Sequence, residues 1–138
     1  AMQNSFKPDA RVAEIALAYA EDAVDIAARN FGICLDWSES SIRLVERMLE
    51  ELHNQMPEAQ PDEETILTFA KMFGSYIGEV LRRHHGGEWG IITFAGQQAP
   101  GLQYGRGSCC WPWEKAYKRL VNGPEDNVWH YYLWLAYA

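Results

Sequence analysis

The chain has 138 residues, 48% apolar and 22% charged, with a formal net charge of −7. That length suits one domain, residues 2–138, able to bury about two-thirds of its unfolded surface, and the composition excludes a disordered chain. Charges interrupt the apolar runs well short of the ~20 residues that cross a bilayer, and no opening segment has the pattern of an export signal.

Ala1-Met2 reads as a cloning remnant before a native start. Pro8 suits a first helical position, where its fixed φ and missing N–H cost nothing. Apolar residues at 12, 15, 16, 19, 20, 23, 26 and 27 then follow the helical period, and Gly32 stops this helix after Phe31. Ile33 to Leu35 form an apolar connector. Asp36, with Glu39 three residues on, is expected to cap a second helix that carries Ile42, Val45, Met48, Leu49 and Leu52 on one face. It should end near Asn54, leaving Gln55 to Pro61, with its two prolines, as a surface loop.

Asp62 is placed to cap a third helix, with Glu63 and Glu64 against its positive end. Its buried stripe should be Ile66, Phe69, Ala70, Phe73, Ile77, Val80 and Leu81, and Gly86-Gly87 ends it. Trp89 to Phe94 is β-branched and aromatic and reads as a strand. A glycine-bearing loop and a second strand, Leu102 to Tyr104, follow, so residues 89–94 should pair antiparallel with the stretch from Leu102 to Arg106. Pro112 opens a fourth helix through Val121, and Pro124 a fifth from Glu125 to the end. The predicted fold class is α+β, predominantly α-helical, with five helices and one small antiparallel β-hairpin.

The chemistry-bearing residues assemble no catalytic motif. Three cysteines, two adjacent (Cys109 and Cys110), fit no disulfide framework, which indicates a reducing, cytoplasmic setting. Cysteines and histidines never fall at metal-ligand spacing, so neither a metal nor a cofactor is implied. His84 and His85 suit the negative end of the third helix, and with Glu88 they make only an incomplete metal site. Buried cysteine beside Trp111 and Trp113 is the simpler account of Cys109 and Cys110 than a nucleophile.

Gly74 and Gly78 each cost about 1 kcal/mol against alanine inside a helix, so close approach of another backbone element is expected at both. A ligand lying in that groove is the sharper alternative. The helical wheel turns Glu79 away from the apolar stripe, which makes it a surface carboxylate unless later elements cover it. In that event Gly78, Glu79 and Trp89 would outline a ligand pocket.

Charge placement matters more than its sum. Residues 39–64 hold eight acids against Arg43 and Arg47, a balance of −6, whereas residues 71–119 hold seven bases against three acids, a balance of +4. An acidic end repels nucleic acid and steers basic partners, although a solvated face is the plainer account. Six tryptophans and seven tyrosines crowd toward the C-terminus, and helix five has aromatics on more than one side. Either that helix is central, or part of it is a recognition surface.

Three stretches, LDWSESSIRLVE (Leu35 to Glu46), GSYIGEVLRRHHGGEW (Gly74 to Trp89) and WPWEKAYKRLVNGPEDNVWHYY (Trp111 to Tyr132), resemble a family of uncharacterised bacterial domains marked by a GxYxGE helix and an RLxNGxED turn. Domains of this kind occur among toxin-immunity proteins. The resemblance implies a non-enzymatic bacterial protein that neutralises a toxin effector by occluding its active site. Its partner is then a basic-surfaced toxin domain rather than a nucleic acid or membrane. The expected contact residues are Glu50, Glu51, Glu58, Asp62, Glu63 and Glu64 for steering, with Trp111 and Trp113 as exposed anchors. A small enzyme or ligand-binding protein with its pocket near Gly78, Glu79 and Trp89 is the alternative, and a generic adaptor a third.

Overall fold

A computed structural model describes residues 5–138; Ala1 and Met2, read above as a remnant before a native start, lie outside them. In chain order the elements are β1 (Ser5–Pro8), α1 (Ala10–Phe31), α2 (Ile42–Ala59), α3 (Glu63–His85), β2 (Glu88–Phe94), β3 (Gln97–Tyr104), β4 (Ser108–Cys110), α4 (Pro112–Asn122) and α5 (Val128–Tyr137). Short 3-10 turns at Glu39–Ser41 and Pro124–Asp126 precede α2 and α5. The fold is α+β and mainly helical. Among the described residues no helix is long and apolar enough to cross a membrane.

α3 is the axis of the molecule. Asp62 caps it by accepting the Thr65 N–H at 2.9 Å, and every residue from Met72 to Leu81 is buried. α1 lies against it through Ala16, Ala20, Ala23 and Ala27, all fully buried, a row of methyl groups that lets the two helices come close. α2 supplies Ile42, Val45, Met48 and Leu49 to a second layer, where α4 and α5 add Ala116, Leu120, Val128 and Tyr132.

The expected hairpin is the centre of a four-stranded antiparallel sheet in the order β1-β2-β3-β4. β2 does pair antiparallel with β3, with Trp89 opposite Leu102. The second strand, however, begins at Gln97 rather than Leu102. The turn takes only Ala95 and Gly96, both at positive φ (52° and 77°), the backbone that a tight two-residue hairpin turn demands. Leu102 to Tyr104 also hold β4 on their other side, and Arg106 falls in the turn between them.

Four helix boundaries differ from expectation. Pro8 ends β1 opposite Gly90 and does not open α1; Asp9 is the cap, accepting N–H bonds from Arg11 and Val12 at 2.9 and 3.0 Å. Asp36 does not cap α2 directly. It binds the Ser38 N–H and hydroxyl, and Ser38 then caps the 3-10 turn that leads into Ile42. α2 continues through Pro57 to Ala59, where a loop had been expected. Pro57 forfeits one N–H, but Leu52 and Met56 pack against the core up to it, and a left-handed Gln60 closes the helix with its N–H on Met56 O. α5 begins at Val128 because Asn127 caps it, accepting the His130 N–H at 2.9 Å, while Pro124 opens only the preceding turn.

Candidate functional site

Because α3 is buried all round over its middle, Glu79 has no solvent side to face. The wheel argument fails there, and the Glu79 side chain is 3% exposed. Arg82 grips it with Nε at 2.8 Å and Nη2 at 3.1 Å, Trp89 donates its indole N–H at 2.8 Å, and Arg83 Nε stands 3.5 Å away. Burial pushes the carboxyl up, but the hydrogen bonds of Arg82 and Trp89 and the charges of both arginines more than offset this and hold it below the ordinary range. The group is an ionised carboxylate with both oxygens engaged, poorly suited to take up a substrate proton. An open groove of about 740 Å³ passes beside it, with Asp9, Glu14, Arg82, Glu88 and Trp89 among its walls.

The two glycines of α3 are filled from outside. A Cβ on Gly74 would stand 2.6 Å from Pro112 O, so the expected close backbone approach is present there. At Gly78 the neighbour is a side chain instead: a Cβ would lie 2.5 Å from Trp89 Cζ2. The indole occupies the space that a ligand on the glycine face would need. Gly78, Glu79 and Trp89 therefore form a packed, hydrogen-bonded unit rather than an open cavity.

A second polar cluster at the end of α3 had no single signal in the sequence. His85 Nε2 lies 2.7 Å from Glu39, and the hydroxyls of Tyr132 and Tyr137 also bond that carboxylate. Burial raises the Glu39 carboxyl, yet the bonds from Tyr132, Tyr137 and His85 bring it down to about 2. His84 Nε2 lies 2.9 Å from Trp37 O, the Trp37 ring stacks on Tyr76, and Arg83 lies 3.9 Å above that ring. Tyr76 OH accepts the Trp37 N–H and shares a 2.6 Å bond with Ser41. These contacts hold Trp37 at a φ of 66°, a left-handed backbone unusual for a bulky residue. Both histidines are committed to this clamp. Among the described residues no three His, Cys, Asp or Glu side chains are grouped to hold a metal ion.

The RLxNGxED stretch is structural as well. Arg119 is fully buried and forks onto Glu46 (Nε 3.0 Å, Nη2 2.8 Å) and Glu50 (2.9 Å), and Glu46 also accepts the Val128 N–H at 2.9 Å. Asn122 and Lys115 bind Asp126 at 3.0 Å each. Cys109 and Cys110 lie in β4, not at a helix N-terminus, and burial raises both thiols, Cys110 to about 12. Neither is an activated nucleophile.

Of the residues expected to meet a partner, Glu51, Glu58, Asp62, Glu63 and Glu64 are exposed at the junction of α2 and α3. Glu50 is spent on Arg119. The tryptophans are not the exposed anchors expected. Trp113 is half-buried, with its indole N–H on Ser75 Oγ at 2.6 Å and its ring between Tyr19 and Trp89. Trp111 is half-buried against Phe94, at the edge of a 530 Å³ hollow that Lys115, Lys118 and Tyr131 also line. The large exposed aromatics are Trp134 (67%), Tyr137 (63%) and Phe94 (52%). Trp134 and Tyr137 belong to α5, whose aromatics on more than one side leave either a central helix or a recognition surface; α5 buries Val128, Tyr132 and Leu135 and exposes these two.

No known family profile matches the chain, and no curated protein does. A crystal structure of a protein from Bacteroides thetaiotaomicron VPI-5482 is similar over 95% of this chain, with a TM-score of 0.65 and 14% sequence identity. The chain spans 46% of that protein's length. At this identity the likeness concerns the fold alone.

Proposed function

We propose that the chain is an immunity-type binding protein that neutralises a bacterial toxin effector by laying an acidic face over the effector's active site. The observation that carries this reading is the run from Met48 to Ala70, which holds six acids and no lysine or arginine. Five of these acids are exposed, and none of the five enters an ion pair among the described residues. Internally satisfied charges stabilise a fold, whereas a one-signed exposed set creates a field that accelerates encounter with a basic partner. The resemblance to domains found among toxin-immunity proteins supports the same reading, as does the engagement of Glu79, both histidines of α3 and the β4 cysteines in structural or inert roles.

The test pairs the chain with candidate toxin domains, beginning with the product of the neighbouring gene. Co-expression should protect cells, and surface plasmon resonance should show an association rate that falls steeply with added salt. Glu63→Lys with Glu64→Lys should slow association and leave dissociation nearly unchanged. Absence of protection, or a salt-independent rate, would remove this reading. The small-ligand alternative keeps one observation in its favour, the open groove beside Glu79 and Arg82.

A further inference from the structure

We infer that the apolar groove between the end of α2 and the start of α3 is an anchor pocket for a basic protein segment that inserts a single aromatic or branched aliphatic side chain. This rests on the partner-binding reading above and names the chemistry of the partner's contact. The groove holds about 180 Å³, and its exposed lining is almost wholly apolar. A cavity of roughly 150 Å³ lined by Leu, Ile and Phe takes up benzene, so this one suits a phenyl ring or an isobutyl group.

Its shape follows from the corner at residues 60–62, where α2 ends and α3 begins. Leu52, Met56 and Ala59 form one helical row on α2, and Ile66 and Phe69 form the facing row on α3. Leu120 of α4 closes the floor and is 3% exposed. Gln60, at a φ of 46°, and Pro61 turn the chain sharply enough to keep the two walls apart.

The rim says what comes. Glu51 and Glu58 lie on the α2 row next to the wall, and Asp62, the cap of α3, stands one turn before Ile66. Glu63 and Glu64 add charge to this corner from other faces of the first turn of α3, Glu63 accepting the Tyr117 hydroxyl, and no base occurs in the sequence between Arg47 and Lys71. An apolar slot beside exposed acids of one sign complements a side chain carried among lysines and arginines, the pattern of an amphipathic helix seated in a groove. An acidic or neutral partner would be repelled or left unsteered.

The probe is a short amphipathic peptide with phenylalanine on one helical face and lysine elsewhere, titrated into the intact chain and followed by methyl NMR. Binding should shift Leu52, Met56, Ile66 and Leu120. Replacing phenylalanine with alanine in the peptide should weaken binding at least about tenfold, as loss of an anchor does. So should replacing its lysines with glutamates, and so should Ala59→Trp, which fills the slot from an exposed position. If Ala59→Trp lowers the melting temperature, Gln55→Trp on the same exposed wall replaces it. No binding, shifts elsewhere, or indifference to the filled slot overturns the inference. Equal binding of the glutamate peptide overturns the basic partner, and dimerisation abolished by Ala59→Trp would make the occupant a second copy.

Failure here is separable from failure of the functional reading. Salt-sensitive protection from a toxin that survives Ala59→Trp discards the groove alone. Peptide binding in the groove by a chain that protects against no toxin discards immunity alone.

Discussion

Replacing Glu46 by leucine should cost far more than replacing the arginine it holds. Arg119 has no exposed atoms, and Glu46 takes both its Nε and its Nη2. Glu46→Leu strands a buried guanidinium, a defect of about 3–5 kcal/mol, and deprives the Val128 N–H of its acceptor, worth about 1 more. Glu50 stays 2.9 Å from Nη2, but its side chain is 42% exposed and screened, so the low end of that range applies. Arg119→Met leaves Glu46 15% exposed, able to hydrate and still to accept Val128, and should cost about 2 kcal/mol. The double variant, apolar on both sides, should recover part of the Glu46→Leu loss. Urea unfolding of the four proteins measures each term, against a total stability of about 5–15 kcal/mol. Equal costs for the two single variants, or strict additivity in the double, would refute the account of a charge buried by one partner and solvated through the other.

Gly78→Ala sets helix propensity, which favours alanine by about 1 kcal/mol, against overlap with Trp89; the indole is buried and hydrogen-bonded to Glu79, so the unfolding free energy read from urea titration should fall by about 1–3 kcal/mol. Glu39 has a folded value near 2 against an ordinary 4.5, so its contribution is complete above about 4.5 and is lost as pH falls toward 2. At a side chain 26% exposed this is worth about 1–3 kcal/mol, and Tyr132→Phe should flatten melting temperatures across that window. Trp113→Ala should destabilise the fold by about 3 kcal/mol in chemical unfolding, whereas Trp134→Ala should stay within about 0.5 kcal/mol.

Period and punctuation made most of the helices legible. The Asp62 cap, the Gly86-Gly87 stop and the Pro112 start each act within a few residues, and local rules describe them well. The misreadings share a different cause. Ser38 rather than Asp36 caps the turn before α2, and Pro57 stays inside that helix, because the contact of Ser41 with Tyr76 on α3 and the packing of α2 on α4 and α5 decide among locally comparable choices. Glu79 was misplaced because a helical wheel presumes one wet face, and α3 has none along its middle. No spacing rule brings Glu39 to Tyr132 and Tyr137, which lie more than ninety residues away in sequence. The acids from Glu51 to Glu64 were legible as a charged face, but the slot between them depends on how α2 meets α3.

The segments with recognisable motifs and the segment with the unbalanced charge do not coincide. In GxYxGE, Gly74 admits the Pro112 backbone, Tyr76 bonds Ser41 and Trp37, Gly78 admits Trp89, and Glu79 holds that indole and Arg82. In RLxNGxED, Arg119 ties α4 to α2, and Asn122 fixes Asp126. Altering either glycine creates an overlap and altering Glu79, Tyr76 or Arg119 breaks buried or half-buried bonds, so these stretches are constrained by folding before any function is considered. Residues 48–70 lie between the first two motif segments, and apart from Leu120 they supply the whole lining of the apolar slot. Most of them are exposed or half-buried, and substitutions at such positions change stability little. A surface that selects one partner has to vary without unseating the core, and this stretch meets that condition where the motif segments do not.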